Sequence, residues 1–221
     1  MPGSIKIDDG SGNYTILTNA GSLGSDKTLT VPNETATLAT TTATDLGTLV
    51  KLAQYDFATD GASSSYAENN FVDNTKYSHY EITLENIQVA TNDTTVTATF
   101  RNGSSDITGN YRHALISMYT DVSSSGLSAN NSKTDKTNIM SNMSNSSTER
   151  NNARCTLFAN SAVCQPHIWT HTMTQRANGD GHQVLIRIAE RATSTAVTGI
   201  KFETASGNMT AGTITIYGVR K

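Results

Sequence analysis

The stretch with the most chemical potential in this sequence is His167-Ile168-Trp169-Thr170-His171. Because side chains alternate between the two faces of a strand, His167, Trp169 and His171 would share one face. An indole between two imidazoles can stack on a sugar ring or help to hold a metal ion. Two histidines without a nearby carboxylate do not make a metal site, and such a face can also be core or interface packing. We therefore predict receptor or interface contacts here, and no metal site.

Other patterns that would support catalysis or cofactor binding are missing from the sequence. It contains neither a G-x-S-x-G nor an H-E-x-x-H motif, and its glycines fall singly at turns. Glu81 and Glu85 would lie about 14 Å apart along a strand, too far for the paired carboxylates of a glycosidase. Asn178-Gly179-Asp180-Gly181-His182 lacks the terminal Glu of a calcium loop and favours a hairpin turn. We expect a protein that is not an enzyme and needs no cofactor.

The two cysteines, Cys155 and Cys164, match none of the usual zinc spacings. Their number is too small for a disulfide framework. Two small buried residues and a local hairpin disulfide both fit this spacing.

Composition and charge narrow the class further. Ser, Thr and Asn make up about a third of the 221 residues, and such a composition favours half-exposed strands joined by polar turns. A net charge of −3 without a basic block gives no electrostatic footprint for nucleic acid. No apolar run is long enough for a membrane helix, so we expect no membrane insertion. The N-terminus lacks the features of a signal peptide, so we expect synthesis in a cytoplasm.

Residues 46–221 are predicted to form an antiparallel β-sandwich or jelly-roll head, because short strands with one apolar face alternate with turns. In one of them, Ile82, Leu84 and Asn86 would share a face. The predicted strands are Lys51–Phe57, Tyr80–Ile87, Thr94–Arg101, Tyr111–Tyr119, Arg154–Phe158, Ile168–Thr174, Gln183–Arg191, Val197–Thr204 and Thr213–Val219.

Two stretches of the head have a weaker pattern. Asp45 could cap a short helical turn running into Leu46–Leu52. The long polar stretch Asp121–Asn152 fits an ordered surface excursion at an interface, a disordered loop, or a short helix around Lys136–Met143.

Residues 1–45 are predicted to form a separate Thr-rich β segment that serves as a stem or an anchor. Ser4–Ile7 and Tyr14–Leu17 flank a polar, glycine-containing stretch typical of a hairpin. The segment has too few large apolar residues to offset its ordering entropy alone. We expect it to pack against copies of itself or a neighbouring protein, with Leu29, Val31 and Leu38 as anchoring residues.

Three stretches of the chain resemble bacteriophage tail-fibre and virion-fibre proteins. The run Gly24–Ala39 contains Thr28-Leu29-Thr30-Val31-Pro32 and Thr35-Ala36-Thr37-Leu38-Ala39, similar to a pattern near the start of such fibres. Ala211–Lys221, with Gly-Thr-Ile-Thr-Ile-Tyr-Gly at its centre, resembles the closing strand of phage fibre, spike and decoration domains. Tyr77–Asn86 is similar to the strand that opens such sandwiches. Together these stretches cover about a fifth of the chain.

The resemblance implies a homotrimer on the virion surface, synthesised in the host cytoplasm, with an N-terminal stem and an exposed C-terminal head. Its partners would be its own copies, other virion proteins through the N-terminal segment, and host-surface polysaccharide. The particle-docking domain of long tail fibres does not precede the stem-like segment, which favours a short fibre or a capsid spike. A capsid decoration protein and a non-viral carbohydrate-binding sandwich are the alternatives.

Overall fold

A computed structural model describes strands at 4–8 and 14–18 and residues 48–121, 125–160, 165–176, 181–191 and 195–221. The chain divides into two compact units, Met1–Thr44 and Asp45–Lys221. In the first unit, β1 (Ser4–Asp8) pairs antiparallel with β2 (Tyr14–Thr18), so the predicted hairpin is present.

The predicted anchoring residues Leu29, Val31 and Leu38 lie outside the described ranges, and their role stays a prediction. The same holds for a stem or anchor function of residues 1–45.

In the described part of the second unit all regular elements are strands. They are β3 (Leu49–Asp56), β4 (Ser65–Glu68), β5 (Tyr77–Val89), β6 (Thr94–Asn102), β7 (Ser105–Asp106), β8 (Tyr111–Asp121), β9 (Ser125–Thr134), β10 (Thr137–Met143), β11 (Asn151–Phe158), β12 (His167–Gln175), β13 (Gly181–Arg191), β14 (Gly199–Thr204) and β15 (Met209–Arg220). The predicted all-β class is confirmed. Within the described ranges no helix is long and apolar enough to cross a membrane.

Two antiparallel sheets make up this unit. The large sheet has eight strands in the order β3-β15-β5-β11-β12-β13-β8-β9. The small sheet has the order β10-β6-β14-β4, with β7 added beside β6. Their facing sides enclose one hydrophobic core, to which the large sheet contributes Tyr80 and Leu84 and the small sheet contributes Phe100 and Phe202, all fully buried. Two sheets packed in this way form a β-sandwich, as the strand pattern predicts.

An irregularity in β5 corrects one prediction. Ile82 and Leu84 face the core as expected, but Asn86 has a positive φ of 55° and is exposed, and Ile87 takes the next buried position. The pairing of β5 with β11 shifts register at this point, which is typical of a β-bulge. Asn86 therefore does not share the face of Ile82 and Leu84.

The helical expectations are also wrong. Lys136–Met143 is not a helix, because β10 pairs with β6 and buries Ile139, Met140 and Met143. The stretch Asp121–Asn152 is not one long loop either, since it contains β9 and β10. The helical turn predicted into Leu46–Leu52 is replaced from Leu49 onward by β3, which pairs with β15. Pairing with a neighbouring strand outweighs the weak local preference in each case.

The buried cysteine alternative holds for Cys155. This residue lies fully buried on β11 as a free thiol, and burial raises its pKa to about 12. Cys164 lies outside the described residues.

Candidate functional site

The predicted contact residues all lie on β12 and point away from the small sheet, on what we call the outer face of the large sheet. Trp169 is 48% exposed and His171 is exposed, whereas His167 is half-buried. Ile168 and Thr170 between them are buried on the inner face. The strand therefore places the three side chains together, and their role in receptor or interface contacts stays a prediction.

A row of stacked rings crosses three strands beside this site. Phe158 on β11 lies directly opposite His167 in register, and their ring centroids are 4.7 Å apart with planes inclined by 17°. On its other side Phe158 stacks on His79 of β5, at 5.3 Å and 22°. Trp169 meets Phe158 edge-on at 6.5 Å. Cross-strand ring pairs of this kind each contribute roughly 0.2–1 kcal/mol and hold the rings in fixed positions.

Next to the rings, the Glu81 carboxylate connects side chains of two strands. Thr156 donates a hydrogen bond to its Oε1 at 2.9 Å, and Arg154 donates from Nε to its Oε2 at 3.1 Å. His79 Nε2 lies 3.7 Å from Oε1. The Glu81 side chain is only 14% exposed, whereas Arg154 is 69% exposed, so the guanidinium is the accessible partner of this ion pair.

An open groove of about 650 Å³ runs over the same face. One wall is polar and includes Glu81, Glu85, Asn152 and Arg154. The opposite wall is mainly apolar and includes His171, Met173, Val184 and Ile186, and Leu49 and Tyr217 close the end of the groove at β3 and β15. The volume of this groove lies in the range of small-ligand sites. Polar groups on one wall can fix the orientation of a bound ligand.

The neighbouring strands carry an unusual amount of exposed apolar surface. Register pairs connect it without a break: Trp169 lies opposite Ile188, and Ile186 lies opposite both His171 and Ile116. We call the following seven residues, each 37–50% exposed, the apolar patch: Ile116, Met118, Trp169, Met173, Val184, Ile186 and Ile188.

The inner face of the same strands carries many polar side chains beside the apolar Ile168, Leu185 and Ala189. It carries Ser117, Thr170, Thr172, Thr174, Gln183 and Arg187, all buried. Some of these groups bond each other or the small sheet: Thr172 donates to the carbonyl of Ile139 at 2.7 Å, and Gln183 donates to Ser117 at 2.8 Å. A sandwich strand normally turns its apolar residues inward and its polar residues outward. In β12 and β13 this order is reversed in part.

Arg187 is the extreme case of this reversal. Its side chain is 5% exposed, and its Nε and Nη1 atoms have no acceptor among the described residues. Burial lowers the pKa of Arg187 to about 10. The pKa of His113, on the same inner side, is lowered first by burial and then by the Arg187 charge.

The outer face of the small sheet, by contrast, follows the usual order. Asp106 forms ion pairs with Arg101, at 2.8 Å, and with Lys201. Lys201 also lies 2.8 Å from Glu203, which pairs in turn with Lys136. This continuous chain of paired charges suits a surface that faces water, so the two outer faces of the sandwich differ sharply in character.

Several residues of this site were not anticipated from the sequence. The pairing of β5, β11 and β12 brings Phe158, His79 and Arg154 to the site. The sequence of a single strand does not reveal which strands pair with it. The exposed aliphatics of β8 and β13 show the expected alternation, but alternation does not tell which face meets the second sheet. The available sequence signal for the outward face is the polarity of the residues on each face of these strands.

No three His, Cys, Asp or Glu side chains among the described residues are grouped closely enough to hold a metal ion. Of the turn predicted at residues 178–182, residues 178–180 lie outside the described ranges, although the flanking strands β12 and β13 do pair antiparallel. No protein-family model, no curated protein and no solved structure matches this chain.

Proposed function

We propose that this chain is a structural protein of a bacteriophage particle, a short homotrimeric fibre or spike that is exposed on the particle and used in host attachment. The observation that carries the proposal is the apolar outer face of the large sheet. Exposed apolar surface of this extent marks a contact with another macromolecule rather than a solvated exterior. The fibre-like motifs of the sequence supply the class of particle.

The attachment part of the proposal is supported by the polar wall of the groove, whose apolar wall belongs to the patch. Arg154 and Asn152 offer hydrogen-bond donors there, and the exposed Glu85 carboxylate offers acceptors. Bacterial surface polysaccharides present hydroxyl, amide and carboxylate groups that such a wall can bind. Three copies that each bind weakly would together hold a particle firmly.

An array of bacterial surface polysaccharides, probed with the purified full-length chain, tests attachment. We expect binding to at least one polysaccharide and a loss of about tenfold or more in Arg154→Ala. Arg112→Ala is the matched control, because Arg112 is an exposed arginine of the same sheet and lies outside the groove. Binding that is equal in both variants would contradict a role of the groove.

A capsid decoration protein is the second candidate. The observation that favours it is the separate compact unit Met1–Thr44, which suits an arm that attaches to a lattice. This function predicts binding to capsids and no binding to polysaccharides or cells. A third candidate, a non-viral carbohydrate-binding module, is favoured by the ring row of His79, Phe158 and His167 and predicts a monomer.

A further inference from the structure

We propose that the apolar patch on β8, β12 and β13 is the surface through which copies of this chain contact each other. This inference rests on the proposed homotrimer and adds the surface through which its copies contact each other. The sequence predicts such a contact only for the N-terminal segment. Four observations carry it: continuity, area, charge and the reversed polarity of the strands.

The patch is continuous over three adjacent strands. Met173 lies opposite Val184, and Val184 lies opposite Met118, so the rows on β12, β13 and β8 meet side by side. On β8 the patch lies next to β9, the edge strand of the sheet, where a second molecule has access.

Its area is that of a specific interface. From their exposed fractions, the seven side chains present on the order of 600 to 700 Å² to solvent. The largest patch on a typical monomer is roughly 300 to 600 Å². A standard interface buries roughly 800 Å² on each partner, including its polar rim. The patch with its rim therefore reaches the size that a stable contact needs.

The charges at the border favour a copy of the chain over a charged partner. The seven patch residues include no Asp, Glu, Lys or Arg. Beside the patch, Arg154 on β11 is paired with Glu81 on β5, and Arg112 on β8 is paired with Glu190 on β13. The exposed Glu85 of the groove has no ion pair among the described residues. Copies of a surface with so few unpaired charges meet with little repulsion, whereas a strongly acidic or basic partner would gain little electrostatic attraction.

The reversed polarity shows that folding of the single chain does not use these apolar side chains. Within β13, Val184, Ile186 and Ile188 point to solvent, while Gln183 and Arg187 share the inner face with Leu185 and Ala189. The burial of Ile186 and its neighbours can become favourable only when another molecule covers them. In a homotrimer the patches of three copies can meet around the three-fold axis, so that the other two copies cover each patch.

Charge substitutions in the full-length chain test the contact. Ile116→Glu and Ile186→Glu place a carboxylate in the centre of the patch. Gln54→Glu is the control, because Gln54 is exposed on β3, at the opposite edge of the same sheet, and does not line the groove. By light scattering we expect a native mass near three times 23.6 kDa for the wild type and for Gln54→Glu, and 23.6 kDa for both patch variants.

Trp169 provides a second measurement, in which the level of quenching in the wild type alone is informative. It is the only tryptophan of the chain and belongs to the patch. If copies cover it, acrylamide quenches its fluorescence several-fold less in the concentrated wild-type protein than in Ile186→Glu. Equal quenching, at a level typical of a half-exposed indole, would overturn the inference even where a variant folds poorly.

The two failures can be told apart. A wild type and patch variants that all keep the trimeric mass would place the contact elsewhere and leave the homotrimer intact. A wild type that stays at 23.6 kDa at every concentration would overturn both the contact and the homotrimer. Polysaccharide binding is measured in a separate experiment, and its result tests host attachment after either outcome.

Discussion

Ile116 on β8 and Ile186 on β13 lie directly opposite each other, and both side chains point away from the core of the sandwich. They are 49% and 40% exposed, whereas the next residue of β13, Arg187, is buried. In β5 of the same sheet the order is the usual one, with Ile82 and Leu84 inside. The large sheet thus changes along its width, from strands whose apolar side chains face the core to strands that also expose apolar side chains on the outer side.

Arg187 is expected to cost stability, because its charge is buried and two of its nitrogens have no acceptor among the described residues. Arg187→Met keeps most of the aliphatic stem and removes the charge, so the free energy of unfolding should rise by about 1–3 kcal/mol. Urea denaturation measures this change. Arg112→Met at an exposed position should stay within about 0.5 kcal/mol of the wild type. A clear loss of stability in Arg187→Met would mean that the folded protein compensates this charge.

The sequence predicts the positions of most strands in this fold, but for few of them does it predict the strand with which they pair. Nine predicted strands overlap observed ones, because alternating apolar residues mark a half-buried strand. The short β4 and β7 and the polar β9 lack this signal, since β4 and β7 are very short and the sequence of β9, Ser125–Thr134, contains Leu127 as its one large aliphatic residue. They form strands because they pair with longer neighbouring strands.

The candidate site was predictable only within one strand. The grouping of His167, Trp169 and His171 follows from alternation in β12. The approach of Phe158 to His167 depends on the register between β11 and β12, and local sequence does not encode this register.

Asp106 should make the stability of the small sheet depend on pH. Burial by itself would raise the pKa of this carboxyl, but the hydrogen bond and charge of Lys201, together with the Arg101 charge, lower it below the ordinary 3.8. A carboxyl with a lowered pKa in the folded state stabilises the protein above the unfolded pKa. This contribution is lost as the pH falls through the folded value.

Asp106→Asn is therefore expected to lose about 1–2 kcal/mol at pH 7, a value reduced for the partial exposure of the pair. The difference from the wild type should shrink progressively below pH 4. Denaturation at several pH values measures it, with Asp135→Asn as an exposed control. A difference that is constant down to pH 2 would contradict the ion-pair origin of the effect.

Gly212 should tolerate no side chain, because β15 passes close to the bulge of β5 at this point. Its φ is +98°, and a Cβ atom would lie 2.6 Å from the carbonyl oxygens of both Glu85 and Asn86. Gly61 has a similar φ of +111° but open space around its Cβ position. We expect Gly61→Ala to cost about 1 kcal/mol through backbone strain, and Gly212→Ala about 3 kcal/mol or more because of the added clash. Thermal unfolding of both variants compares them directly, and equal losses would contradict the crowding at β5.

The Cys155 thiol should be inert until the sandwich opens. It is fully buried on β11, and burial raises its pKa to about 12. At pH 8 only about one thiol in ten thousand would then be ionised, and the thiolate is the reactive form. In the full-length variant Cys164→Ser, which leaves Cys155 as the single thiol, the reaction with an aromatic disulfide reagent should be limited by unfolding. Adding urea above the transition should speed it by several orders of magnitude, whereas labelling of the native protein within seconds would show that β11 opens easily.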